Sequence, residues 1–168
     1  MKSNILAAPV LGALFLGILG AGAVADPITQ KGLTISDAYI RAMPPKAPVA
    51  GGFLKIRNDG AEADRLVSAH SPKSGEVQIH EMTMNGSVMK MRELPEGLPI
   101  PAGETVELKP GGYHLMFVEV PEPFAEGQTV EATLVFDKAD EVTLPFEVRA
   151  MRSAPQAGEG HDTGHSGH

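Results

Sequence analysis

The chain has 168 residues, no cysteine and no tryptophan, and carries 21 acidic against 14 basic residues. An acidic balance argues against nucleic acid or an anionic membrane surface as partner and gives a mild attraction for cations. The lack of cysteine removes thiol redox chemistry, cysteine zinc sites and the thiolate ligand of a blue-copper centre.

The chain opens with Lys2, then the uncharged apolar run "ILAAPVLGALFLGILGAG", then "AVA" at 23–25. A short positive start, an apolar stretch and small residues at the end form the pattern of a cleaved secretory signal, so 1–25 is expected to be a signal peptide and Asp26 the mature start. There is no twin arginine and no cysteine for lipid attachment. The mature chain would have 168 − 25 = 143 residues and a net charge of 13 − 21 = −8, enough length for one domain with a real core. A signal of this kind implies export from the cytoplasm.

Residues 26–32 read as a lead-in. Short β-type runs follow, separated by Gly, Pro, Asn and Asp: 33–42, 51–58, 65–70, 77–84, 87–94, 105–110, 113–120, 129–136 and 142–150. Several alternate polar and apolar residues with period two, and none holds a helical period over three turns. Many short strands at this spacing predict an all-β, antiparallel Greek-key sandwich over 26–150. The segment 151–168 has almost nothing to bury and is expected to be a disordered tail, yet it holds His161, His165 and His168.

Methionine concentrates in "HEMTMNGSVMKM", where residues 80–91 hold four of the eight methionines. Asn85-Gly86 between two alternating runs is a strong hairpin signal. Taken as a two-residue loop, it sets Met82 opposite Met89, Glu81 opposite Lys90 and His80 opposite Met91. One face then carries His80, Met82, Met84, Met89 and Met91. A second run, "YHLMFVEV", puts His114 and Met116 on one face of a strand, because residues i and i+2 point the same way. "PGG" at 110–112 sets a tight turn just before it.

Imidazole with thioether is a soft ligand set, and soft ligands select Cu(I) over zinc or calcium. The plainer alternative is an Ig-like structural module whose methionines fill a loose core. Two His/Met pairs on shared faces in a cysteine-free chain favour the metal site.

With these residues in view, the chain resembles the periplasmic copper chaperone family called PCuAC. The likeness runs from about Leu33 to Arg149 and includes "AYIRAMPPKAPVAGGFLKIRN", "VQIHEMTM", "VMKMREL" and "IPAGETVELKPGGYHLMF". The family motif is a His, ten residues, a Met, about twenty-one residues, then His-x-Met. Here the second gap is 22 residues, with the extra one assigned to the loop 95–103. The resemblance implies a cupredoxin-like fold and His80, Met91, His114 and Met116 as Cu(I) ligands. It also implies a monomeric chaperone, not an enzyme, that delivers copper to a cytochrome c oxidase subunit or a Sco-type protein. Sequestration of copper for resistance is the alternative role.

Other residues weigh less. His70 has no partner in sequence and reads as a surface residue. Met82, Met84 and Met89 are candidates for auxiliary ligands, transfer steps or packing around the site, with packing ranked first by analogy with the family, and Met43 is expected to sit in a loop. There is no paired-carboxylate constellation, no calcium loop and no G-x-S-x-G or H-E-x-x-H motif. The tail imidazoles, with Asp162, suit a secondary Cu(II) site at His161, His165 and His168.

Overall fold

The structure is a computed structural model, and it describes residues 26–150. The expected signal peptide and the expected tail, with its three histidines, lie outside the described residues.

The described residues form eleven strands: β1 (Ile28–Gln30), β2 (Leu33–Arg41), β3 (Val49–Asn58), β4 (Asp64–His70), β5 (Glu76–Asn85), β6 (Val88–Glu93), β7 (Leu98–Ile100), β8 (Thr105–Leu108), β9 (Tyr113–Val118), β10 (Thr129–Phe136) and β11 (Glu141–Arg149). All nine expected runs are strands. β1 and β7 were not expected. Each is three residues long, too short for an alternating pattern to register, and each forms by pairing with a longer strand, β1 with β2 and β7 with β4. Leu98 and Ile100 of β7 are buried, so what reads as a loop in the sequence contributes to the core.

The ladder runs β6-β5-β9-β8-β3-β2-β11-β10-β4-β7, with β9 also paired to β3. A single pairing, Ala69 with Val77, joins β4 back to β5. The result is a sandwich whose two layers are stitched on both sides, by β4–β5 and by β2–β11. The ladder is mixed where a fully antiparallel one was expected: β2–β11 and the one-rung β8–β9 contact are parallel. Strand direction leaves no mark on a period-two pattern, so nothing in the sequence marks these two pairings.

Burial follows the alternation. Along β11, Val142, Leu144, Phe146 and Val148 face inward, and along β10, Val130, Ala132, Leu134 and Phe136 do the same. In β2 the inward set slips by one residue, from Leu33 and Ile35 to Ala38 and Ile40. The slip sits at a bulge after Ser36, where Asp37 takes a φ of 55°. Aromatic contacts in the core join Phe117 edge-on to Phe124 and Phe146, with ring centroids 6.0 Å apart in each pair.

The layer β6-β5-β9-β3 matters most for the site. Its inner face supplies Val77, Ile79, Leu115 and Phe117 to the core. Its outer face carries His80, Met82, His114 and Met116. Gly51 and Gly52 on β3 lie beside β9 and are hemmed in on both faces. A Cβ on Gly52 would stand 2.7 Å from the Phe117 ring, and one on Gly51 would stand 3.1 Å from the Phe53 ring.

Candidate metal centre

The β5–β6 hairpin differs from the expected register by two residues. Asn85 pairs with Val88, Met84 with Met89, Met82 with Met91, Glu81 with Arg92 and His80 with Glu93. The loop is Gly86-Ser87, not Asn85-Gly86. Positive φ occurs at Gly86 (65°) and not at Asn85. A loop with positive φ at its first central residue, Gly86, and not at its second, Ser87, is a type II′ turn, which leaves Asn85 on the strand. His80 is therefore not directly opposite Met91, and Glu81 pairs with Arg92, at 2.7 Å, instead of Lys90. A slip of two residues restores every side chain to its expected face, because the strand period is two. His80, Met82, Met84, Met89 and Met91 thus still share one face.

On its other side β5 pairs with β9, setting His80 opposite His114 and Gln78 opposite Met116. The two imidazole centroids are 5.7 Å apart. This cross-strand pairing of the histidines is a feature the sequence reading did not contain. His80 from β5 and His114 from β9 thus face one another, with Met116 one rung along β9 and Met91 on β6 paired with Met82, one rung along β5 from His80.

Each imidazole has one nitrogen committed. His114 donates its Nδ1–H to the Gly112 carbonyl at 3.1 Å. The same carbonyl accepts the Met82 backbone N–H at 3.1 Å, so one oxygen ties β5 to the His114 ring. Gly112 closes the turn that Pro110 and Gly111 make, with Gly111 at φ 82° and Gly112 N–H on the Lys109 carbonyl. His80 donates its Nε2–H to Gln78 Oε1 at 2.9 Å. The Gln78 amide is oriented in turn, because its Nε2 donates to Glu76 Oε2 at 3.0 Å. The relay Glu76–Gln78–His80 leaves His80 Nδ1 with its lone pair free. That nitrogen is buried and has no hydrogen-bond partner. An orphaned buried acceptor on an oriented ring is what a metal ligand looks like before it receives its ion. Burial and the facing His114 push the His80 pKa below its ordinary value, against an opposing pull from Glu93. The free base, the form that can bind a metal, is thereby favoured.

Beside His114 lies a cleft of about 260 Å³ whose lining includes His114, Met116, Met82, Met91, Met43 and Phe53, whereas His80 is not part of that lining. Its sulfur content is the unusual feature. Among the described residues no three His, Cys, Asp or Glu side chains converge, so any metal held here would depend on thioether sulfur. Phe53 is buried but stands outside the main core, on the outer face. It packs against His114 at 6.5 Å and Tyr39 at 5.1 Å between ring centroids, with the Arg41 guanidinium 5.6 Å from its own centroid. This apolar shelf holds His114 in place and keeps water from one side of the cleft. Met43 is anchored by its sulfur, which accepts the Phe124 backbone N–H at 3.4 Å.

Of the other residues considered, His70 is exposed at the end of β4, as expected. Met84 and Met89 are not packed around the site: they are 64% and 63% exposed. Gln78, Glu76 and Phe53 were not singled out from the sequence, and Gly112 only as part of the turn at 110–112. For Gln78 the available signal was its place two residues before His80 on the same strand face.

Four likenesses place the chain. A curated protein named "Putative lipoprotein Lxx21020", from Leifsonia xyli subsp. xyli (strain CTCB07), is 30% identical over 152 residues, covering 87% of this chain and 89% of its own. Among solved structures, the copper-bound PCuAC domain from PmoF2 superposes with a TM-score of 0.64 at 25% identity, over 76% of this chain and 100% of that domain. The solution structure of CuI-DR1885 from Deinococcus radiodurans gives 0.57 at 24% identity, over 74% of this chain and 81% of its own, and shows the shared fold. The family described as "Putative lipoprotein LpqE-like" matches residues 33–148. With the eleven strands and the outer His/Met face in hand, the chain belongs to the LpqE-like family and has the cupredoxin-like fold of PCuAC domains.

Proposed function

We propose that this protein is an exported copper chaperone that carries Cu(I) on His80, Met91, His114 and Met116 and hands it to a copper-receiving protein of cytochrome c oxidase assembly. The observation that carries the reading is the pair of cross-strand imidazoles, each with one nitrogen committed, of which His114 lines a cleft rich in thioethers. The solved copper-bound PCuAC domain supports copper as the cargo, and the "lipoprotein" relatives support export.

The chemistry follows from the donors. Two neutral imidazoles and two thioethers add no negative charge, so the set favours the soft monovalent ion over a hard divalent one. Thioethers carry no proton and do not form disulfides, which suits an oxidising compartment. They also bind less firmly than thiolates, so the ion can be passed on by ligand exchange. Met91 is 47% exposed on an edge strand. It is the ligand an acceptor's own donor atom reaches first.

The test is an anaerobic Cu(I) titration of the exported protein with X-ray absorption at the copper edge. One tightly bound ion with equal nitrogen and sulfur neighbours is expected. A site with oxygen and nitrogen neighbours only would refute it. Delivery is tested separately, by cytochrome c oxidase activity in a deletion strain at limiting copper; unchanged activity combined with copper sensitivity would point to sequestration instead.

A further inference from the structure

Six large hydrophobic side chains are strongly exposed among the described residues, and four of them, Met84, Val88, Met89 and Met91, lie on the β5–β6 hairpin. Folding does not account for this. A methionine left in water gains no burial energy, and it is a poor strand former beside the β-branched residues that usually fill such positions. The register places these sulfurs together. Met84 is directly opposite Met89, and Met82 is directly opposite Met91, on the next rung of the same face. Side chains on directly opposed residues start about 5 Å apart at Cβ, and successive rungs on one face lie about 7 Å apart. Methionine has three rotatable bonds before its methyl group, enough for sulfurs on two adjacent rungs to meet at one point. Met91 and Met82 line the cleft, whereas Met84 and Met89 do not.

We propose that Met82, Met84 and Met89 form a second Cu(I) site, built of three thioethers on the exposed hairpin outside the imidazole pair, with Met91 standing between the two sites. The proposal rests on the reading of the imidazole–thioether centre as a Cu(I) site and extends it. Three neutral sulfurs make a trigonal, soft and weak site. No imidazole contributes to it, so it holds the ion less firmly than the inner centre does. An ion entering by the hairpin meets this site first and reaches the inner one by exchanging one sulfur at a time, Met82 and Met91 being direct cross-strand neighbours. No electron is transferred and no proton is released in these steps.

The test uses the exported chain, its methionine methyls labelled with carbon-13, titrated anaerobically with Cu(I) and in parallel with Ag(I). A double variant, M84L/M89L, is compared with it. Both positions are exposed, so leucine there leaves the fold intact. The first equivalent is expected to shift the Met91 and Met116 methyls in both proteins. The second is expected to shift Met82, Met84 and Met89 in the wild type and to be lost from that face in M84L/M89L. A second equivalent that leaves the Met84 and Met89 methyls unmoved overturns the proposal while leaving the inner site standing. So does a double variant that still takes up both equivalents at Met82. A wild-type chain in which the first equivalent never reaches Met91 or Met116 overturns the reading of the inner site. Saturation of Met84 and Met89 before Met91 and Met116 overturns the order of affinity on which the proposal rests.

Discussion

Replacing Gln78 by leucine removes the acceptor that fixes the His80 ring without touching any proposed ligand. In the folded protein His80 Nε2–H donates to Gln78 Oε1 at 2.9 Å, and Nδ1 is left free and buried. Leucine leaves both neutral tautomers open and lets the ring turn about χ2. Loss of the tautomer preference alone costs about 0.4 kcal/mol, a factor of two in affinity, and a misaligned ring adds to that. Partners of this kind around metal-binding histidines typically contribute 10–100-fold in affinity, or about 1.4–2.7 kcal/mol. The apo domain should lose only one net hydrogen bond, about 0.5–1.5 kcal/mol, and remain folded. The assay is anaerobic competition for Cu(I) against a chromophoric chelator, with urea unfolding of the apo protein alongside. Glu76→Ala, which frees the Gln78 amide to flip but keeps its oxygen, should cost less than Gln78→Leu. Cu(I) affinity of Gln78→Leu within twofold of wild type would show that the relay does not orient a ligand.

Met91→Ala and Met116→Ala should each weaken Cu(I) binding and leave the thermal midpoint of the apo protein nearly unchanged, while Met82→Ala weakens the inner site less; competition titration and melting curves check both halves. The His80 imidazole has a pKa below its ordinary 6.5, so the unfolded chain takes up this proton at a higher pH than the folded one. The stability owed to the neutral ring is therefore complete above about 6.5 and falls as pH drops below that value. The loss in melting temperature between pH 7.5 and 5 should shrink in His80→Gln. Gly52→Ala should destabilise the apo domain by about 1–3 kcal/mol, because the new methyl would press on the Phe117 ring behind β9. Urea unfolding measures it. A version ending at Ala150 should bind less Cu(II) than the full exported chain at pH 7.5 and differ little from it at pH 5, where an ordinary imidazole is protonated; equal Cu(II) binding at pH 7.5 would remove His161, His165 and His168 from consideration as ligands.

Much of the architecture can be read from the period-two alternation of "VTLPFEVRA" and "TVEATLVF", because each inward position is a core residue in the fold. The site face was equally legible, since His80 with Met82 and His114 with Met116 follow from strand geometry alone. The hairpin register was not. Asn85-Gly86 and Gly86-Ser87 are both suitable sequences for a two-residue loop, and the choice turns on whether Asn85 shares the left-handed φ with Gly86. The opposition of His80 to His114 was out of reach for a different reason. It depends on β5 pairing with β9 across the intervening β6, β7 and β8, and no local pattern encodes which distant strands meet. The short strands β1 and β7 exist only because longer neighbours offer them hydrogen bonds.

β6 is the last strand of its layer and is bonded on one side only, to β5. All six of its residues are exposed. Such an element is the cheapest part of a sandwich to detach, since its loss uncovers no core and breaks only one row of ladder bonds. Met91 rides on it, whereas His80 and His114 are carried by strands bonded on both sides. The barrier to taking one sulfur away from the imidazole pair is therefore set by fraying of a single edge strand, well below the free energy of global unfolding. Amide hydrogen exchange should find β6 opening orders of magnitude more often than β9, which gives the molecule a fast local door on a slow, stable frame.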